Sequence, residues 1–291
     1  MRVIDLIEVS AKQLADAGVV FGHGTDNAFD EAAWLVLWQL RLPLDDLDGV
    51  ANQSIDEKQR QQCTALIESR ISSRKPAAYL THEAWLQGLS FYVDERVIVP
   101  RSLIAELLVH AAIDPWLNPH SHQILDLCTG NGSLAILAAI TYPETQVEAC
   151  DISADALVVA AINVQRHHLQ DRISLLASDG LTSLQSRYDL ILCNPPYVNA
   201  LSMSELPPEY RAEPALALDG NLSGGRDGMD FIRKFLREAP RYLNSEGVVV
   251  LEIGHEREHF ETAFPELEAV WLSTSAGEDQ VLLLTRQALT R

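Results

Sequence analysis

Between Gln123 and Arg286 seven short apolar runs recur: "QILDLC", "QVEACDI", "ISLLASD", "YDLILCN", "GVVVLEIG", "EAVWLST" and "QVLLLTR". Each is rich in Val, Ile and Leu and too short to make a helix of ordinary length. Helical patterns separate the first five. A chain that alternates in this way folds as a parallel sheet with helices on both faces. Only "STSAGEDQ" lies between the last two runs, too little for a crossover helix. These two therefore form an antiparallel hairpin at the sheet's end. The pattern predicts an α/β fold in which five parallel strands are closed by one reversed strand.

The first 75 or so residues have a different period. Val3, Leu6, Ile7, Ala11 and Leu14 recur at helical spacing. "DEAAWLVLWQLRLPLD" is apolar nearly all round, which predicts a central buried helix stopped by Pro43. Ser54 and Glu57 have the spacing of a capping box, and Cys63, Leu66, Ile67 and Ile71 line one face of the next helix. From "YLTHEAWLQGLSFYVDERVIVPR" the chain turns aromatic and β-branched around Gln87-Gly88, predicting a β-hairpin from about Ala78 to Val99 that ends at Pro100. The 291 residues, 47% of them hydrophobic, suffice for about two domains. Residues 1–76 are expected to be a helical substrate-recognition domain, 77–101 a hairpin connector, and 102–291 the α/β domain.

Composition narrows the functional class. No apolar run approaches the ~18 residues that span a bilayer. The N-terminus is amphipathic, without the apolar block of a signal peptide. Cys63, Cys128, Cys150 and Cys193 are scattered and never form a C-x-x-C pair, so neither a zinc site nor a disulfide framework is expected, and the compartment is a reduced cytoplasm. The formal charge of −19 repels a phosphate backbone and attracts a basic protein. No membrane partner and no direct sequence-specific nucleic-acid binding are expected.

"ILDLCTGNGSLAILAA" reads as strand, glycine turn, helix. Gly130 and Gly132 let the backbone turn tightly and approach a ligand, with a helix N-terminus behind it. The spacing Gly130-x-Gly132-x-x-Ala135, with Asp151 about 20 residues on, also matches a dinucleotide fingerprint. A nicotinamide dehydrogenase is therefore a rival. Asp126, just before the turn, favours the methionyl ammonium of S-adenosyl-L-methionine and would repel a pyrophosphate. Asp179-Gly180 ends the third strand, where a carboxylate can accept from an adenine amine. Ligands of open α/β sheets bind outside the carboxyl ends of the strands, so these positions converge on one crevice. Cys128, Thr129, Gly130, Gly132, Ile152 and Asn194 are expected to join Asp126, Asp151, Asp179 and Gly180 around the cofactor.

Asn194-Pro195-Pro196-Tyr197, at the end of the fourth strand, carries the chemistry. An amide or exocyclic amine nitrogen has a delocalised lone pair and is a poor nucleophile. It reacts when two acceptors grip its N–H groups and aim it at a sulfonium methyl. The Asn194 side-chain oxygen and the Pro195 carbonyl can be those acceptors. The prolines fix φ near −65° and donate nothing, and Tyr197 offers a flat face to a planar group. The sulfonium supplies the reactivity, so no metal is needed.

These residues resemble the glutamine-N5 methyltransferases of the HemK/Prm family, which modify release factors or a ribosomal protein. The resemblance covers nearly the whole chain, through "FYVDERVIVPR", "DLCTGNGSLAI", "CDISADAL", "NPPYV" and "EYRAEPALALDG". It implies a Rossmann-like class I S-adenosylmethionine methyltransferase, a seven-stranded, mostly parallel sheet preceded by a small helical domain and a connecting β-hairpin. S-adenosyl-L-homocysteine is the implied product. Asn194, Pro195 and Tyr197 are the implied catalytic, glutamine-holding residues, and Pro196, Arg101 and Glu213 are expected to complete the substrate site. Release-factor enzymes usually carry Pro-Arg-Pro-x-Thr-Glu after the hairpin. Here Pro100-Arg101 continues as "SLIAELL", placing Glu106 one residue later, as in the branch acting on the third large-subunit ribosomal protein (L-three). Asn131 and Ser133 stand where Ser and Cys are commoner. The implied partner is a basic ribosomal protein of the large subunit. Release factors, a nucleic-acid adenine-amino substrate and a non-catalytic ribosome-assembly role are the alternatives.

Overall fold

The computed structural model describes residues 1–118 and 122–290. Its N-terminal part is helical: α1 (Val3–Asp16), α2 (Ala28–Leu40), α3 (Leu47–Val50), α4 (Glu57–Ser73) and α5 (Ala77–Thr81). Val3, Leu6, Ile7 and Leu14 of α1 pack with Leu35, Val36 and Leu37 of α2 and with Cys63 and Ile67 of α4 in one apolar cluster. Helix α2 ends at Leu40, ahead of Pro43, as its sequence predicts. The capping box of α4 is formed by Asp56 and Gln59 and not by Ser54 and Glu57. Ser54 instead makes an isolated bridge with Arg2, which removes it from the helix start.

The hairpin is much shorter than Ala78 to Val99. Only β1 (Ala84–Leu86) and β2 (Leu89–Phe91) pair, antiparallel, and Ala77–Thr81 is helical. The β-branched run after it spends its side chains on packing and makes no ladder. Val93, Val97 and Val99 are buried with Tyr79, Ala156 and Val159.

The remainder runs α6 (Ile104–Val109), β3 (Gln123–Leu127), α7 (Ser133–Thr141), β4 (Gln146–Asp151), α8 (Ala154–Arg166), β5 (Ile173–Ala177), β6 (Tyr188–Cys193), α9 (Ala200–Glu205), α10 (Pro208–Arg211), α11 (Asp230–Glu238), β7 (Leu243–Glu252), α12 (Arg257–Ala263), β8 (Val270–Thr274) and β9 (Gly277–Thr285). The strands form one seven-stranded sheet in the order β5-β4-β3-β6-β7-β9-β8. Strand β9 is antiparallel to both β7 and β8, so β8 runs with the other five and β9 alone is reversed. The expected five-plus-one arrangement is thus six-plus-one: the tight β8–β9 connection returns the last strand into the slot beside β7 and leaves β8 at the edge. No helix separates β5 from β6, contrary to the pattern; residues 178–187 make turns and coil instead.

Both faces of the sheet are covered. Leu190 and Leu192 of β6 with Val248 and Val250 of β7 face one apolar cluster. Their neighbours Ile191, Cys193, Val249 and Leu251 face the other. This alternation follows from the two-residue period of a strand. It also decides where Asp126 points: it shares a face with Ile124, toward α7. Among the described residues no helix is long and apolar enough to cross a membrane.

Candidate active site

A cleft of about 1100 Å³, its open mouth included, lies along the carboxyl ends of β3, β4, β5 and β6. After Leu127 the backbone takes left-handed conformations at Cys128 (φ 63°), Gly130 (φ 55°) and Gly132 (φ 82°). Gly132 caps α7, and a Cβ there would sit 3.3 Å from that of Ala160 on α8, so glycine lets the two helices approach. Gly130 faces the cleft, and a Cβ on it would meet nothing within 4 Å.

The acidic residues are fixed by neighbouring backbone. Asp151, ending β4, accepts from Gly130 N (2.9 Å) through Oδ2 and from Ser153 N (2.9 Å) through Oδ1. Burial pushes its carboxyl up, while those backbone donors pull it down. Asp126 is 1% exposed and lies behind the loop, not on the cleft wall. Its Oδ2 accepts from Thr129 Oγ1 (2.5 Å) and Ala135 N (3.0 Å), and its buried Oδ1 has no hydrogen-bond partner among the described residues. Burial raises its carboxyl to about 7. Asp179 is exposed and pairs with Lys234 Nζ at 3.1 Å. Ile152, 56% exposed, presents an apolar side chain to the cleft beside it.

Asn194 lines the cleft just past β6, and among the described residues its side chain makes no hydrogen bond within the protein. Pro195 and Pro196 are buried, and only Pro196 reaches the cleft wall. Tyr197 turns away from that wall and packs into the second apolar cluster. Its ring lies against Gly254 (φ 53°), where a Cβ would come within 2.6 Å of ring carbon Cε2, and its carbonyl abuts Gly228. Burial raises its phenol well above the ordinary range.

Arg101 lines the cleft from the opposite side, and Glu213 grips it from behind. Two parallel hydrogen bonds of 2.7 Å join guanidinium and carboxylate, and Glu213 also accepts from Val99 N (2.8 Å). Although burial opposes ionisation, Arg101 and His23 hold the Glu213 carboxyl at about 2. Both residues are thus already committed to each other. Glu252, at the end of β7, accepts from Ser102 Oγ (2.5 Å) and Leu103 N (2.9 Å), and burial raises it to about 7.

The cleft therefore gathers Arg101, Cys128, Thr129, Gly130, Asp151, Ile152, Asp179, Gly180, Asn194 and Pro196. Asp126, Gly132, Pro195, Tyr197 and Glu213 stand behind it. Sequence reasoning missed Phe231, Leu216 and Leu222, which supply much of the apolar wall. Leu216 lies in the "EYRAEPALALDG" stretch, whose pattern singles out no apolar residue, and Leu222 and Phe231 arrive on a distant loop and helix. Asn131, also on the wall, holds a buried Nδ2 with no partner among the described residues. Its place in the glycine loop was the signal that could have found it.

A seven-stranded sheet with one reversed strand, a glycine loop after β3, a carboxylate ending β4 and an Asn-Pro-Pro-Tyr corner ending β6 together define a Rossmann-like class I methyltransferase. The hMettl16 catalytic domain, solved with the MAT2A 3′UTR hairpin 6, shares this fold, with a TM-score of 0.53 at 14% identity over 79% of this chain and 81% of that one. Residues 105–207 match the methyltransferase small domain family. The chain is 53% identical to the ribosomal protein uL3 glutamine methyltransferase of Bordetella pertussis, over 98% of this chain and 95% of that protein. It is 49% identical to the protein of the same name from Burkholderia pseudomallei (97% and 94% covered) and 48% to that of Neisseria meningitidis serogroup B (98% and 93%). The chain belongs to the ribosomal protein uL3 glutamine methyltransferase family.

Proposed function

We propose that the protein acts in the cytoplasm, transferring the methyl group of S-adenosyl-L-methionine to the side-chain amide nitrogen (N5) of a glutamine in ribosomal protein uL3. Residues 1–76 serve to recognise that basic protein. The observation that carries the reading is Asn194: an amide that makes no hydrogen bond among the described residues, on the cleft wall at the end of β6, on a corner fixed by two prolines.

The residues present suit the cofactor. Asp151 keeps free lone pairs for ribose hydroxyls, Ile152 and Phe231 offer apolar faces for the adenine, and Asp179 is exposed to accept from its amine. Asp126, buried behind the glycine turn, would act on the methionyl end indirectly, by holding Thr129 and the start of α7 in place. Gly130 leaves its side of the cleft open. When bound, S-adenosyl-L-methionine supplies a methyl group on a cationic sulfur and leaves as S-adenosyl-L-homocysteine.

The protein's own task is orientation. The Asn194 side-chain oxygen and the Pro195 carbonyl accept from the two N–H groups of the glutamine amide. Holding the amide so removes rotational freedom before reaction, and positioning of this kind is worth several kcal/mol of barrier. Tyr197, wedged against Gly254 behind the cleft wall, supports the corner from the back and does not itself face the amide. Arg101, neutralised by Glu213, shapes the opposite wall.

Incubation with labelled cofactor and either purified uL3 or a release factor tests the reading. Label is expected on uL3. Label confined to the release factor overturns the substrate assignment. Asn194→Ala is expected to lower the transfer rate by about a thousandfold, within the range for well-oriented groups, with cofactor affinity little changed. Undiminished turnover would refute the role of Asn194.

A further inference from the structure

The segment after the catalytic corner ties the cofactor cleft to the N-terminal helices through buried charge. Glu209 on α10 is fully buried, and its Oε1 lies 2.8 Å from Arg74 Nε and 3.5 Å from Arg70 Nη1. It also accepts from Val20 N at 3.2 Å. Arg70, itself fully buried, is held on its other side by Glu31 at 2.8 Å. One residue after Glu209, Tyr210 packs its ring on that of His23, with centroids 4.3 Å apart. Four residues after Glu209, the Glu213 carboxylate lies 3.6 Å from His23 Nε2.

This joint is incompletely satisfied. Among the described residues, five of the eight buried side-chain polar atoms without a hydrogen-bond partner belong to it: both nitrogens of His23, Arg70 Nη1, Arg74 Nε and Glu209 Oε2. The charges of Arg70, Arg74 and Glu209 attract, yet the directions of these atoms do not match. Buried charge without directed partners is expensive to keep, and a concentration of it at one joint calls for a reason beyond stability.

The chain just beyond the joint supplies the reason. Pro214, Leu216, Ala217 and Leu222 form one wall of the cleft, and Leu216 and Leu222 stay 43% and 55% exposed despite being apolar. The far end of this wall is fastened to the residue after Tyr197: Val198 N donates to Leu218 O (2.9 Å), and Gly220 N and Asn221 Nδ2 donate to Val198 O (3.1 and 3.0 Å). One end of the wall is pinned to the helical bundle and the other to the corner that holds the amide.

We infer that Glu209 and Glu213 are positioning residues that couple the bundle to the cleft: they hold this wall against the cofactor, so engagement at the bundle and retention of the cofactor favour each other. The inference rests on the cofactor reading above. Hydrogen–deuterium exchange on the full-length protein, with and without S-adenosyl-L-methionine, tests it. Addition of cofactor is expected to protect residues 20–24 and 70–74 together with 214–222. Glu209→Gln, nearly isosteric, is expected to weaken cofactor binding about tenfold through faster release, a usual size for coupled sites. Its kcat at saturating cofactor is expected to stay within about twofold. A purely structural role would lower Tm and leave affinity and release rate alone, and that result overturns the proposal. So does protection of 214–222 with 20–24 and 70–74 unchanged, a measurement on the wild-type protein that stands even if the variant fails to fold. Wild-type protein that binds no cofactor would instead sink the functional reading, and the coupling with it.

Discussion

The loop after β3 and the joint around Glu209 both bury charge, and they manage it in opposite ways. In the loop, Asp151 is satisfied by backbone N–H groups of Gly130 and Ser153, and half of Asp126 by Thr129 and Ala135. The donors are main chain or close sequence neighbours, so the arrangement is set once the strand and helix form. In the joint, side chains arrive from α2, α4 and its C-cap, α10 and the segment before α2, and several of their polar atoms lack directed partners among the described residues. A site built from local backbone is preorganised. One built from distant side chains is strong only while all its members are in place.

The largest effect that can break this contrast is Arg70→Met. Removing the cation leaves Glu31 buried without its ion partner and Glu209 with Arg74 alone, and a loss of about 3–5 kcal/mol of stability is expected in urea titration. A loss under about 1 kcal/mol would show that water already screens the joint. The acid limb of stability gives the next largest effect. Glu213 holds its carboxyl at about 2, below the ordinary 4.5. The unfolded chain therefore binds the extra proton between those values, and the contribution of Glu213, in full above about 4.5, is lost as pH falls toward 2. Stability measured across this window is expected to fall less steeply in Glu213→Gln. An unchanged slope would mean that the carboxylate is not held as the geometry requires. The smallest effect belongs to the loop. Gly132→Ala forces a side chain into a left-handed φ of 82° and against Ala160, and is expected to cost about 1–2 kcal/mol in thermal unfolding. A neutral result would mean that α7 and α8 can separate cheaply.

The same contrast governs how much could be read from the chain alone. The glycine loop, Asp151, Asp179 and the Asn194 corner are contiguous motifs at strand ends, and a parallel sheet brings such ends together; they were legible. The position of β9 was not, since alternation gives strand identity and leaves strand order open. Ser54 and Glu57 misled because Asp56 and Gln59 repeat the same spacing two residues on, and tertiary pairing with Arg2 chose between them. The hairpin was overextended because β-branched residues also suit a buried loop, as Val93, Val97 and Val99 show. Glu209 opens the "EYRAEPALALDG" stretch, yet its role in the joint was invisible for a simpler reason. Its partners lie as many as 189 positions away, and nothing local distinguishes a surface glutamate from one that closes an ionic joint.

Tyr197 sits between Gly254 at its ring and Gly228 at its carbonyl, both positions that any side chain would disturb. On the proposed reading, a support clamped on two bare stretches of main chain leaves the Asn194 corner in front of it unable to mould itself to a guest. It will treat one carboxamide much like another, so the burden of choosing among proteins shifts to whatever surface greets them first. Grafting a different bundle onto an intact clamp should therefore redirect the modification while leaving its chemistry as it is.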